Sequence, residues 1–229
     1  MQMKYAVISG EYIHADDIAK FGFIPLKTEA NAHFQRPVAY HADMNCAAVC
    51  GKVFIAQGQQ ELANIISDMR YDVQISTDIS PDYPFDVKLN FALCGRSAIC
   101  NPKTLDKQIM QTLANGGYKI YAVNQGYAGC AALFVNENAV ITTDDGIYKQ
   151  LFAKLDILKI SPCGIALDGY DYGFIGGAAK LIAPDTMLFF GDITQHADYI
   201  IIERFLGKYG VKIKHTADAL CDIGGMIIL

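Results

Sequence analysis

One layout recurs along this chain at nearly even spacing, and the spacing carries across the gap between its two ends. Cys46-Ala47-Ala48-Val49-Cys50-Gly51-Lys52-Val53-Phe54-Ile55-Ala56 is two short apolar runs around a tight turn. Asn90–Cys100 matches it without a gap, down to the Cys-Gly-basic turn. Ala131–Thr142 and Ala178–Phe190 share the pattern, turning at Asn136-Glu137-Asn138 and Pro184-Asp185-Thr186. Such pairs of runs are hairpin signals. With Ile8, Ile55, Ile99, Ile141 and Phe189 taken as equivalent, the spacings are 47, 44, 42 and 48. From Phe189 through Leu229 and on to Ile8 is another 48.

A helical stripe and a further strand follow each hairpin. Leu62, Ile65, Ile66 and Met69 fall at i, i+3, i+4 and i+7. Leu105, Ile109 and Leu113 lie behind Asn101-Pro102, which reads as an N-cap followed by a first-turn proline. Ile147, Leu151 and Leu155 follow Thr143-Asp144-Asp145, and Tyr199, Ile202 and Leu206 follow His196-Ala197-Asp198. Val73–Ser76, Lys119–Val123, Ile157–Ser161 and Val211–Lys214 are the returning strands. The fifth unit is split: Ala6–Ser9, a short helix from His14 and Phe23–Leu26 open the chain, and Met226–Leu229 supplies its missing strand.

One such unit of about 46 residues cannot cover both faces of its own sheet, whereas a closed ring of five shares its core. The sequence therefore predicts one α/β domain over 1–229, a five-bladed propeller closed by pairing of its N- and C-terminal strands. Its repeats run over 221–229 plus 1–40, 41–85, 86–124, 125–172 and 173–220.

Composition narrows the functional classes. Apolar residues make up 52% of the chain and charged residues 19%, as in a packed globular protein. The net charge is −5 with no Lys/Arg cluster longer than two, which argues against a nucleic-acid groove or an anionic membrane surface. No apolar run spans a bilayer, and Met1–Ile8 lacks the features of a signal peptide, so a cytoplasmic location is expected. The seven cysteines include no CxxC and no paired zinc spacing, and they read as reduced, small packing residues. No metal and no cofactor are expected. Gly173–Lys180 is neither a dinucleotide fingerprint nor a P-loop, and its glycines read as backbone-packing residues at the ring centre. Small-molecule binding by a monomer or homodimer is the expected mode.

Where strands begin in such a ring they point at the central channel. Those positions carry His41, Asp43, Asn45, Asn90, Gln125, Tyr127, Asp168, Asp171, Tyr172, Cys221 and Asp222, a convergence of polar groups suited to a ligand. Asp43 can anchor a cation or cap a turn, and His41 can act as a base or as a satisfied structural residue. Cys221 stands ahead of Cys130 as a candidate thiol nucleophile.

Five units in a closed ring resemble the pentein superfamily, which includes arginine and agmatine deiminases, dimethylarginine dimethylaminohydrolase and a ribosome-binding initiation factor. Asp43–Gly51 resembles the strand that carries an acidic substrate-binding pair in the dimethylarginine hydrolases. Ala219–Met226 resembles the strand that carries their nucleophilic cysteine, and Asp171–Ala178 resembles an uncharacterised branch of the superfamily. The resemblance places the nucleophile position on Asp222, with Cys221 one residue earlier and hence on the opposite strand face, and it places the catalytic histidine near Phe174. From the channel-facing positions, the candidate catalytic residues are Asp222, His41 and Cys221, and the candidate substrate contacts are Asp43, Asn45, Asn90, Asp171 and Tyr172. The expectation is a pentein-fold protein that binds a small cationic or amino-acid-like ligand in its channel without Cys/His catalysis. Two alternatives stand beside it. One is a guanidino-group hydrolase or deiminase-like enzyme, acting on amidine C–N bonds through Cys221 or a carboxylate. The other is a non-catalytic protein-interaction module.

Overall fold

A computed structural model describes residues 3–229 of the chain, so Met1 and Gln2 of the first repeat lie outside the described residues. It contains five three-stranded sheets. The first joins β1 (Lys4–Ile8) and β2 (Phe23–Lys27) to the last strand, β15 (Met226–Ile228). The second holds β3 (Cys46–Val49), β4 (Lys52–Ala56) and β5 (Asp72–Ser76), with α1 (Ala42–Asn45) leading in and α2 (Gln60–Asp68) crossing over. The third holds β6 (Ala92–Cys94), β7 (Ser97–Cys100) and β8 (Lys119–Ala122), bridged by α3 (Lys107–Asn115). The fourth holds β9 (Ala132–Asn136), β10 (Ala139–Thr142) and β11 (Asp156–Lys159), with α4 (Ala128–Ala131) and α5 (Asp145–Leu151). The fifth holds β12 (Ala179–Ala183), β13 (Thr186–Phe189) and β14 (Lys212–His215), with α6 (Tyr199–Lys208).

In every sheet the middle strand pairs antiparallel with the inner one and parallel with the outer one. A parallel partner needs a crossover, and the helix or 3-10 turn supplies it. The closure follows the expected form: Ala6, Val7 and Ile8 pair antiparallel with Ile228, Ile227 and Met226. His14 reinforces this seam, its Nε2 lying 2.7 Å from Asp218 Oδ2, a residue 204 positions away.

The core explains why the ring must close. It divides into five clusters, each built from two successive blades. Val7 and Leu26 of the first blade pack with Ile55, Leu62 and Ile66 of the second. Phe54 packs with Ala98, Ile109 and Leu113. Ile99 packs with Val140, Ile147 and Leu151, Ile141 with Phe189, Ile202 and Leu206, and Leu188 with Ile8 and Ile18. Neighbouring residues of one middle strand thus enter different clusters because side chains alternate between strand faces. Strands covered on both faces read as continuous apolar runs, which is how these appear in the sequence.

This alternation corrects one alignment. Ile8, Ile55 and Phe189 lie on the same face of their blades as the crossover helix, together with Ala98 and Val140. Ile99 and Ile141, taken as their equivalents, are one residue out of register and face the next blade. The expected cap at Asn101 is also corrected. Asp106 caps α3, its side chain accepting from the Gln108 amide at 2.7 Å, while Asn101 accepts from Lys103 N at 3.0 Å in the turn before it. No helix among the described residues is long and apolar enough to cross a membrane.

Removal of Met226–Leu229 is expected to abolish cooperative melting. The deletion strips β1 of its inner partner and exposes Met226, which is 1% accessible, along with three half-buried apolar residues. Each large buried side chain is worth about 1.5–3 kcal/mol, against a total stability on the order of 5–15 kcal/mol. A truncated protein that melts within a few degrees of the full chain would show that the last strand is not needed for closure.

Candidate functional site

Where the inner strands begin, the five blades approach closely enough for their backbones to bond around the channel. The Asp43 amide donates to Gly224 O at 3.0 Å, and Gly225 N donates to Gly177 O at 2.8 Å. Gly176 N donates to Cys130 O at 2.7 Å, and the amides of Gly129 and Cys130 both donate to Asn90 Oδ1, at 2.7 and 3.3 Å. The collar closes through side chains: Asn90 Nδ2 donates to Cys130 Sγ at 3.1 Å, and Cys130 Sγ donates to Asp43 Oδ2 at 2.7 Å. Glycine is required here by space. A Cβ on Gly177 would lie 1.9 Å from Asp222 Oδ1, and one on Gly224, at φ +72°, would lie 2.3 Å from the His41 Cβ. The glycines of this region are backbone-packing residues, as the sequence suggested.

The Cys130–Asp43 bond divides the channel. Cys130 and Asp222 border an upper chamber of about 350 Å³, whereas Asp43 borders a lower one of about 540 Å³. The upper chamber also takes in His41, Gln125, Tyr127, Asp171, Tyr172 and Phe174. Its aromatic wall is ordered by stacking: Tyr127 lies between Tyr83 and Phe174, with ring centroids 6.3 and 6.5 Å apart. The Tyr127 hydroxyl donates to Asp86 Oδ2, and Gln125 is anchored on Asp144 at 2.8 Å. Asp171 and Tyr172 lie exposed at the rim.

Asp222 forms part of the floor. It is 5% exposed and accepts from Phe174 N at 2.8 Å and Gly224 N at 2.9 Å. The Nδ1 of His41, also buried, is 3.9 Å from Asp222 Oδ1. Burial pushes the Asp43 carboxyl up to about 6; His41 works against this, while Asp222 adds to it. Asp43 Oδ1 has no hydrogen-bond partner. Burial, followed by the neighbouring charges of Asp43 and Asp222, holds the Cys130 thiol well above the usual thiol range.

Several expected site residues lie elsewhere. Asn45, expected to touch substrate, is fully buried and away from both chambers. Its Nδ2 donates to Ala39 O and His41 O, both at 2.9 Å, and its Oδ1 accepts from Asn31, so it locks the turn before β3. Asn90 sits behind the wall and orients Cys130. Cys221 does not face Cys130. Its Sγ lies 3.4 Å from Phe190 O, it borders an adjoining recess with His14, Asp168 and Asp218 whose wall shares His41 and Asp222 with the upper chamber, and burial pushes its thiol up to about 11. The offset of one residue from Asp222 keeps Cys221 out of the upper chamber's wall, while His41 and Asp222 border both cavities.

Sequence reasoning underweighted Cys130. With it, a thiol, an imidazole and carboxylates meet at one place, although on different blades from those expected. Nothing local separates Cys130 from the other six cysteines. The distinguishing signal is its place on α4, a helical turn before an inner strand, matching α1, which carries Asp43. Among the described residues no group of three or more His, Cys, Asp or Glu side chains could hold a metal ion.

Comparison with solved structures defines the class of fold. An inosamine-phosphate amidinotransferase from Streptomyces griseus superposes with a TM-score of 0.61 at 9% identity, over 99% of this chain and 93% of that one. A dimethylarginine dimethylaminohydrolase from Pseudomonas aeruginosa, a mutant complexed with citrulline, gives 0.57 at 10% identity over the whole of both chains. An amidinotransferase of saxitoxin biosynthesis from Microseira wollei gives 0.58 at 10% identity, over 94% of this chain and 89% of that one. The fold is thus that of the pentein superfamily. The chain belongs to a family of unknown function (DUF6873), whose model matches residues 9–227. No curated protein matches the sequence.

The raised proton affinity of Asp43 has a measurable consequence. A carboxyl whose folded pKa exceeds its unfolded value stabilises the fold below the unfolded pKa and loses that contribution as pH rises through the folded one. The window here runs from the ordinary 3.8 to about 6. Asp43→Asn keeps an acceptor for the Cys130 thiol and removes the titration. Relative to the natural protein, it is expected to gain on the order of 2–3 kcal/mol between pH 4 and pH 7 in denaturant titrations. A stability difference between the two proteins that stays flat with pH would contradict a buried, proton-holding Asp43.

Proposed function

We propose that this protein binds a small organic cation, a guanidinium or an ammonium, in the upper chamber. The observation that carries this reading is the composition of the wall. Asp222 and Asp171 supply carboxylates, Tyr127, Tyr172 and Phe174 supply aromatic rings, and neither Lys nor Arg lines the chamber. Carboxylates attract such a cation and aromatic faces hold it. The two backbone bonds on Asp222 orient its carboxylate without supplying a counter-charge. The resting Cys130 thiol is protonated and hydrogen-bonded, which supports binding without thiol chemistry.

One observation favours a second reading, a hydrolase acting on the C–N bonds of amidines: Cys130 borders the same chamber as Asp222 and His41. In that case its proton would pass to Asp43 Oδ2, already 2.7 Å away, as the sulfur adds to a guanidinium carbon and the C=N π pair moves to nitrogen. The C–N bond would then break with the amine leaving as it takes up a proton, and water would cleave the C–S bond to release the product and restore the thiol. The fold neighbours include amidinotransferases and a dimethylaminohydrolase, which lends the guanidino group weight as the shared chemistry.

Agmatine, arginine and methylated arginine are the probes. A ligand at a hundred times its Kd adds about 2.7 kcal/mol, and in a chain of this size each kcal/mol raises Tm by about 2–4 °C. At least one probe is expected to raise Tm by roughly 5–10 °C, with most of that lost in Asp222→Asn and in Asp171→Asn. Asp171 is exposed, so its variant tests binding without disturbing the core. Absence of any shift would remove the binding reading. Steady turnover abolished by Cys130→Ala and unaffected by Cys221→Ala would replace it with the hydrolase.

A further inference from the structure

The channel continues below the collar, and its lower chamber is larger than the upper one. Consecutive residues of the inner strands border it, including Ala92, Leu93 and Cys94 of β6 and Leu133, Phe134 and Val135 of β9. Side chains alternate along a strand, so a cavity that touches every residue in turn meets the strand's edge and not one of its faces. Each inner strand is paired along one edge only within its sheet. The chamber therefore combines backbone edges with apolar side chains such as Leu93, Leu181 and Ile227.

One cation stands in this wall. Lys180, the second residue of β12, is half-buried and has no hydrogen bond or ion pair among the described residues. Burial lowers its proton affinity, opposed by the charges of Cys94 and Asp43. Two carboxylates also border the chamber, and neither is within ion-pairing distance of Lys180. Glu137, at the rim, accepts from Arg96 N at 3.0 Å and lies against Gly95. Asp43, in the roof, accepts a hydrogen bond from the Cys130 thiol through Oδ2, while its Oδ1 has no hydrogen-bond partner. A half-buried ammonium without a counter-ion is an unmet electrostatic demand, and apolar walls around it select what can meet that demand.

We infer that the lower chamber is a second binding site, for a small carboxylate with an apolar chain. Its carboxylate pairs with the Lys180 ammonium and its chain lies along Leu93, Leu181 and Ile227. The site is distinct from the upper chamber in charge, wall and mouth, and it stands or falls independently of the cation reading.

Octanoate is the probe, measured by calorimetry and thermal shift on the full chain, with octanamide as its uncharged counterpart. Octanoate is expected to bind at least tenfold more tightly than octanamide. Lys180→Met should erase that preference and weaken octanoate at least tenfold, while Lys180→Arg should retain most of the affinity. Tyr172→Ala, at the rim of the upper chamber, should leave octanoate binding unchanged. Melting of each unliganded variant reports folding, and the arginine variant keeps the test valid if the methionine variant is unstable. No binding to the natural protein, equal binding to Lys180→Met, or loss on Tyr172→Ala would each overturn the assignment.

Discussion

Each middle strand of this protein has two apolar faces, and only the neighbouring blades can cover them. Ile55 faces backward toward the first blade and Phe54 forward toward the third, and the same split recurs at Val7 and Ile8 and at Leu188 and Phe189. No cluster belongs to a single repeat. The ring is thus a condition of burial, and a chain with one blade missing would leave two half-clusters in water. The three residue pairs between β1 and β15 therefore carry consequences well beyond their own contact area.

Closure also dictates what the centre can hold. Five inner strands converging on one axis leave no room for side chains where they begin, so glycine occupies positions 129, 176, 177, 224 and 225. Backbone groups then bond from blade to blade. The places that keep a side chain at this level are few, and they are the chemically interesting ones. Asp43 and Cys130 ride on short helical turns, and Asn90 and Asp222 receive backbone amides. The polar centre arises from the same convergence that forms the collar.

The fold was legible in the sequence because burial on both faces writes itself as apolar runs, and tight turns write themselves as Cys-Gly or Pro-Asp-Thr. The register within a strand was harder to read. Ile99 and Ala98 are both apolar and both buried, and only the three-dimensional partner distinguishes them. The α3 cap was misplaced because Asn101-Pro102 satisfies local rules that Asp106 meets five residues after Asn101. At the centre, Asn45 and Asp43 are two residues apart and both polar, yet one faces a turn and the other the channel. Sequence patterns cannot register that a helical turn sends these side chains in different directions. Lys180 escaped notice because a lysine inside a short strand usually lies on the protein's outer surface, and here it lines the channel.

In the collar between the two chambers, Asp43 and Cys130 are joined by a hydrogen held between sulfur and oxygen. Such a link transmits charge. A cation settling above favours the ionised form of Asp43, which deepens the negative potential in the roof below and opposes an anion there. The converse holds to the same degree, because coupling free energy between two binding sites is reciprocal. Two ligands that never touch would thus compete through the ionisation of one carboxyl, making the centre of the ring a point of antagonism between its two chambers.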